Sequence, residues 1–478
     1  MQIPRKILIQ RADKLGDITF SLPVIERIKK HWPHVSIHVL TSSIGKEFLE
    51  SHPLIDKIWV IDVFKKPFLY SYFTLIKQLK KQGFTLYLSL WNQPYLAWLG
   101  VLARIPLRIG DSSNIFQRFA YTLPVFQTWD DQTRHQVEFN LNLLAPLELN
   151  DNDLIKRIYT NHDTDKDIKT TFRRFLNPER KHILIICGTG GSNRPIPEKA
   201  VLDFIERIQK INEFNIILEG RLDEQAPLTG LRGDHLLNNI NKTSISEMLS
   251  EIKLCDYVIG PDTGPIHIAA FMDKPILFFS YSKAFKPAGW GPYSPFFNII
   301  REEYHCAHLD PKQCSDDTCL AFLTGSYLYE RFCELVNMVN VDDKMSLKEQ
   351  RKQRLLQSFR ILYCFHSQDD LEEAQEGIRL LQDQGLSILP YSCKRFSLFD
   401  YMAMRHVLIK RNINIIQGKV PVLFRWLIRF YMAVLKQYVS PIFITLSIHE
   451  YISLDDFIRF YRLKWKHQAR QYRKKQIY

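Results

Sequence analysis

Twice in this chain of 478 residues, short apolar runs alternate with segments of helical spacing, and no other feature restricts the fold as much. In the first 110 residues the apolar runs are 6–10 (KILIQ), 35–40 (VSIHVL), 57–63 (KIWVIDV) and 85–90 (TLYLSL). Runs this short and continuous predict strands covered on both faces. Ile18, Leu22, Ile25 and Ile28 recur every three or four residues, which predicts one helix over 18–31, ending before Pro33. Further helices are expected over 43–51 and 67–82. A strand–helix–strand order of this kind gives a parallel sheet with helices on both faces.

The same order returns further on. Strands are expected at 181–187, 214–219, 257–260 and 275–279, with helices at 199–211, 244–254 and 265–271 and a closing helix at 327–339. Between the two runs lies a polar, acidic stretch, 150–167 (NDNDLIKRIYTNHDTDKD), which reads as a linker. The chain therefore divides into a Rossmann-like lobe over 1–160, a second over 168–342 and an extension over 345–478. Open parallel sheets bind ligands at the carboxyl ends of their strands, so two such lobes predict a cleft between those ends.

Charge separates the extension from the rest. Residues 1–350 hold 42 Lys and Arg against 41 Asp and Glu, whereas residues 351–478 hold 22 against 10. A field of that sign seeks a polyanion. Within the α-rich extension, strands are expected at 360–364 and 386–390, and helices at 368–384, 420–436 and from Ser453 onward. The segment 420–478 is expected to lie on an anionic membrane surface. The alternatives are a solvated basic tail and a small third α/β domain. No motif points to nucleic acid. The opening residues do not form a signal peptide, and the apolar segment 420–435 is broken by Arg425 and Arg429. A cytoplasmic protein, at most peripheral to a membrane, is the expectation. Cys187 and Cys255 sit in strand-like surroundings and read as small buried hydrophobes. Cys306, Cys314, Cys319 and Cys333, near His305 and His308, lack the paired C-x2-C spacing of zinc sites, so reduced thiols are expected and no metal.

Four loops carry chemistry, each after a predicted strand. In 11–17 (RADKLGD), Gly16 permits a tight turn, and Asp17 is either the cap of the following helix or a carboxylate on the cleft rim able to accept a hydroxyl proton. In 257–270 (YVIGPDTGPIHIAA), Asp262, Thr263 and Gly264 precede a helix with Pro265 in its first positions. Free amides there suit a phosphate, and His267 lies in the same turn. The segment 187–194 (CGTGGSNR) is rich in amides and offers Arg194 to a leaving diphosphate, but no Walker lysine follows. In 218–224 (LEGRLDE), Glu219, Asp223 or Glu224 is placed to bind ribose hydroxyls.

The segments ILIQRADKLGDITFSLPVIERIKKHWP and VIGPDTGPIHIAAFMDKPILFF, with AGWGPYSP after them, resemble the lipopolysaccharide heptosyltransferases, glycosyltransferase family 9. The resemblance covers about residues 5–340. It implies the two-lobed GT-B fold, an ADP-activated heptose as donor, the core of a lipid-linked saccharide as acceptor, and an inverting displacement without metal or cofactor. By this resemblance Asp17 is the catalytic base. Asp262, Thr263, Gly264 and His267 contact the nucleotide diphosphate, Thr189 and Gly190 belong to the donor site, and Glu224 is the ribose acid. Arg194 corresponds to a basic residue that the family places before Trp-Pro, although here Pro195-Ile196-Pro197 follows. Arg11 and Lys14 are assigned to the acceptor. Pro261 stands where the family has Asn, and the extension has no counterpart. Two other readings share these residues: a sugar-nucleotide epimerase of similar fold and a non-catalytic, membrane-associated scaffold.

Overall fold

The computed structural model describes residues 3–62, 68–127, 134–149, 154–189, 195–279, 289–300 and 323–339, together with the backbone of four strands in the extension. The first lobe holds strands β1 (Lys6–Gln10), β2 (Ser36–Thr41), β3 (Lys57–Val60), β4 (Leu86–Ser89), β5 (Leu107–Asp111) and β6 (Leu123–Val125). They form one sheet in the order β3-β2-β1-β4-β5-β6, and every pairing is parallel. The second lobe holds β7 (Lys181–Ile186), β8 (Phe214–Glu219), β9 (Leu236–Asn238), β10 (Tyr257–Pro261), β11 (Ile276–Phe279) and β12 (Phe297–Ile300). Its order, β12-β11-β10-β7-β8-β9, is the same winding seen from the other edge. Each sheet reverses direction once, between β1 and β4 and between β7 and β10, and the crevice at such a reversal is where doubly wound sheets bind ligands.

The expected central strands form because their side chains are buried on both faces. β4, β8, β10 and β11 are buried at every position. The short strands β5 and β6 at one side of the first sheet, and β9 and β12 at the two edges of the second, were not expected from the sequence.

Two sequence expectations need correction. The helix expected over 18–31 is two helices, α1 (Leu15–Thr19) and α2 (Leu22–His31). Pro23 has no amide hydrogen to give to the preceding turn, so a continuous helix cannot pass it. The chain turns at Phe20 and Ser21, where the Ser21 hydroxyl donates to the Ile18 carbonyl at 2.6 Å. The first helix consequently starts earlier than expected and takes Gly16 and Asp17 into its first turn.

The second correction concerns the linker. Residues 154–160 form no helix or strand, but His162–Phe175 is a helix, α8. Asn161 caps it by accepting from the amides of Asp163 and Thr164, and the acids in the first turn favour the positive helix end. Composition alone did not separate a helix-opening acidic turn from a linker. α8 belongs with the second lobe, since Ser250 donates to Asp165 at 2.7 Å and Lys253 pairs with it.

The remaining helices of the first lobe are α3 (Ser43–Leu49), α4 (Phe68–Lys80), α5 (Pro94–Leu102), α6 (Ile115–Arg118) and α7 (Gln136–Asn142). Those of the second are α9 (Glu198–Ile211), α10 (Ile245–Leu254), α11 (Gly264–Phe271) and a last helix, Gly325–Val339. Among the described residues of the extension, β13 (Arg360–Phe365), β14 (Ser387–Ser392), β15 (Ile415–Gly418) and β16 (Ile442–Ile444) form a parallel sheet in the order β14-β13-β15-β16. The first two strands match the expectation. The helices expected at 368–384, 420–436 and after Ser453 lie outside the described residues. Among the described residues no helix is long and apolar enough to cross a membrane.

Candidate active site

The loop after β1 is built around a buried cation. Arg11 is 3% exposed, and its guanidinium has four partners. Nε donates to Asp13 Oδ1 at 2.9 Å, Nη2 lies 3.0 Å from Asp17 Oδ1, and Nη1 donates to the Leu90 carbonyl at 2.7 Å and reaches Asn140 Oδ1 at 3.4 Å. Burial opposes its charge, but the two carboxylates hold it protonated. For Asp13, burial dominates over the Arg11 charge, and the neighbouring Asp17 charge adds to it, so that its pKa is pushed up to about 7. Two carboxyls therefore share one guanidinium, and at neutral pH Asp13 carries a substantial proton share.

Asp17 is not the cap of its helix. The N-cap of α1 is Lys14, whose side chain makes no capping bond and is exposed. Asp17 sits within the first turn, half-buried beside Arg11. Of the two cations assigned to the acceptor, Lys14 is open on the rim, whereas Arg11 is fully engaged in holding the carboxylates.

On the opposite lobe, Thr263 is the N-cap of α11 in an extended conformation, but its hydroxyl donates to the Pro261 carbonyl at 3.1 Å and caps nothing. The amides of the first turn are thereby left for a ligand. His267 is 5% exposed, with Nε2 3.2 Å from Asp262 Oδ1 and no hydrogen-bond partner at Nδ1. Its ring leans on Phe20 of the first lobe at 4.6 Å between centroids.

The two halves meet at glycines. A Cβ at Gly16 would stand 2.6 Å from His267 Cδ2, and one at Gly264 would stand 2.8 Å from Leu15 Cβ. Only hydrogen at those positions lets α1 and α11 approach this closely. Asp17 and the Asp262, Thr263, Gly264 and His267 group consequently share one junction between the lobes. Residues that the sequence did not single out complete it. His135 is buried, with Nε2 2.9 Å from the Gly291 carbonyl, and packs edge-on against Phe20 and at a tilt against Tyr293. Asn140 Nδ2 donates to the Phe20 carbonyl at 2.9 Å.

The amide-rich loop is described only to Thr189; Gly190 and Arg194 lie outside the described residues. Its start shows why glycine is needed there. A Cβ at Gly188 would stand 2.2 Å from the Arg221 carbonyl oxygen, and Gly220 has φ +125°. The loops after β7 and β8 therefore cross backbone on backbone. Of the three acids in 218–224, Glu219 is withdrawn: it is buried, accepts from the Thr243 hydroxyl at 2.6 Å, and burial raises its pKa. Asp223 accepts from the Gln225 amide at 2.9 Å. Glu224 is exposed and is not drawn into the α1–α11 junction. Cys187 and Cys255 are buried thiols as expected, while Cys306, Cys314 and Cys319 lie outside the described residues.

The family model described as glycosyltransferase family 9 (heptosyltransferase) matches residues 72–319, more than half of the chain. Lipopolysaccharide heptosyltransferase 1 of Campylobacter coli is 26% identical over 307 residues, which cover 59% of this chain and 86% of that protein. The lipopolysaccharide core heptosyltransferase OpsX of Haemophilus influenzae is 21% identical over 314 residues, 63% of this chain and 85% of its own length. Among solved structures, the family 9 glycosyl transferase of Veillonella parvula superposes with a TM-score of 0.56 at 18% identity, over 63% of this chain and 87% of that one. E. coli ADP-heptose LPS heptosyltransferase II gives 0.55 at 16% identity, over 70% of this chain and 100% of its own.

Proposed function

This chain belongs to glycosyltransferase family 9 and is a glycosyltransferase of the GT-B fold, and from that premise we propose that it moves heptose from ADP-heptose to a lipopolysaccharide-core acceptor with inversion and without a metal. The names of its relatives support the donor and the acceptor class. The observation that carries the mechanism is the α1–α11 junction, where a carboxylate of one lobe meets open helix amides of the other.

In this mechanism Asp17 accepts the proton of the acceptor hydroxyl as its oxygen attacks the anomeric carbon. The bond from that carbon to the diphosphate breaks, and the departing charge falls on the amides at the start of α11. His267, held through Nε2 beside Asp262, keeps Nδ1 free of protein partners for the diphosphate. Arg194, with Thr189 and Gly190, belongs to the same leaving-group side, and Glu224 binds the ribose. On the acceptor side Lys14 is the available cation, and Arg11 is a positioning residue that fixes the Asp17 carboxylate.

Asp17→Asn tests the assignment. The substitution keeps size and polarity but removes the proton acceptor. The transfer rate should fall by about 10²–10⁴-fold while ADP-heptose binding, read by calorimetry, stays nearly unchanged. A variant that transfers heptose at the wild-type rate ends the general-base role. A screen of other nucleotide sugars for thermal stabilisation tests the donor independently, since a ligand stabilises the state it binds.

A further inference from the structure

We propose that the outward faces of α4, α5 and α6 on the first lobe form a docking surface for an anionic phospholipid bilayer. The sequence placed membrane contact in 420–478, which lies outside the described side chains. The described residues carry a different candidate. Tyr70 and Phe73 on α4, Trp98 on α5, Phe116 and Phe119 on or just after α6, and Phe126 after β6 are all exposed, from 40% at Trp98 to 77% at Phe116. Single exposed apolar residues are ordinary, but a run of exposed aromatic side chains on adjoining helices is not.

The helices that bear them adjoin. The Tyr72 hydroxyl on α4 donates to the Tyr95 carbonyl on α5 at 2.6 Å. Ala97 and Val101 of α5 pack against Ala120 and Tyr121, which follow α6. One stripe of α4 reads Tyr70, Phe73, Lys77 and Lys80, all facing outward. Lys81, Arg104 and Arg118 are exposed on the same stretch. The single acid of 68–127 is Asp111, which is buried and accepts from Ser113 and Asn92. The face thus offers aromatics and cations with no exposed carboxylate among its described residues.

Charge selects the occupant. A second copy of the chain, apposed through this face, would set cations against cations. The extension carries the same positive sign. An anionic bilayer supplies the opposite charge, and its interface is where amphipathic aromatic rings settle. Position agrees as well. In a parallel sheet all carboxyl ends lie on one side, and Phe116 and Phe126 follow the carboxyl ends of β5 and β6 as Asp17 follows that of β1. A bilayer on this face would present a lipid-borne hydroxyl on the Asp17 side of the lobe. Only that last use rests on the proposed acceptor; the docking surface rests on exposure and charge.

The test is sedimentation of the full chain with phosphatidylcholine vesicles and with vesicles containing phosphatidylglycerol. Two full-length variants are compared: Phe116→Asp with Phe119→Asp, and Arg473→Glu with Lys474→Glu and Lys475→Glu. Both phenylalanines are exposed, so the first variant should keep its thermal midpoint and its stabilisation by nucleotide sugar. Wild type should prefer the anionic vesicles, more so at low salt. The phenylalanine variant should lose at least about tenfold in partitioning, and the tail variant should keep most of it. Unchanged binding by the phenylalanine variant overturns the proposal. So does absence of vesicle binding by the wild type, equal binding to both lipid compositions, or a size-exclusion dimer that the phenylalanine variant dissociates. Each readout is independent of catalysis, so a failure here leaves the transferase mechanism standing.

Discussion

Arg11 decides the chemistry of its loop at the scale of single residues. Its one positive charge is set against Asp13 and Asp17, and removing it would leave the two neighbouring carboxyls, one buried and one half-buried, without their counter-charge. Arg11→Ala should cost about 3–5 kcal/mol of stability, read as a fall in the denaturant midpoint. Asp13 should impose a pH dependence on the fold. Its folded pKa, about 7, is raised above the ordinary carboxylate value by burial. A carboxyl raised in this way contributes favourably while it is protonated, and that contribution is lost as the pH climbs from about 4 to 7. Asp13→Asn removes the titration, so the variant should gain on the wild type between pH 4 and pH 8. A parallel pH profile of melting for the two proteins would exclude a raised pKa at Asp13.

At the scale of elements, the helix starts and strand ends matter more than their lengths. Gly16 and Gly264 allow α1 and α11 to touch. Gly16→Ala should push the His267 ring from Asp262, lower stability by about 1–3 kcal/mol and weaken donor binding, measured by calorimetry. The ends of β8 and α10 hold a second buried acid pair. Burial, and then the Glu219 charge, raise Glu251 to about 9, while Asn239 hydrogen-bonds its other oxygen. Glu251→Gln mimics the protonated acid. It should raise the melting temperature at pH 8, and the gain should shrink toward pH 4, where the wild-type carboxyl is protonated in both states.

Much of this scale was legible in the sequence, because continuous apolar runs such as 214–219 can only be strands covered on both sides. The loops after β1 and β10 were legible because glycine and acid residues interrupt such runs abruptly. The break at Phe20 was not, although Pro23 signals it, because the apolar spacing continues across the turn. β5, β6, β9 and β12 were missed because runs of only three to five residues, partly exposed in β6 and β9, look like loop. Arg11 as a clamp was also illegible: a cation beside a site reads as a ligand contact until its burial is known. Asn140 and His135 carry no local signal and reach the site only through tertiary packing.

At the scale of the whole molecule, the transfer mechanism requires the two lobes to meet in one arrangement. Beyond α1 and α11, Glu47 of the first lobe accepts from the Ile245 amide of the second at 2.9 Å, and Lys156 reaches the Ala270 carbonyl and Asp273. These contacts tie the lobes on both sides of the junction and leave the carboxyl ends of both sheets facing it. The most direct measurement is a crystal structure of the full chain with an unreactive ADP-heptose analogue. The mechanism predicts the diphosphate on the amides of Thr263 and Gly264, with the anomeric carbon and the Asp17 carboxylate each about 3 Å from a site where one hydroxyl oxygen fits. A diphosphate bound away from the start of α11, or a sugar turned from Asp17, would contradict it.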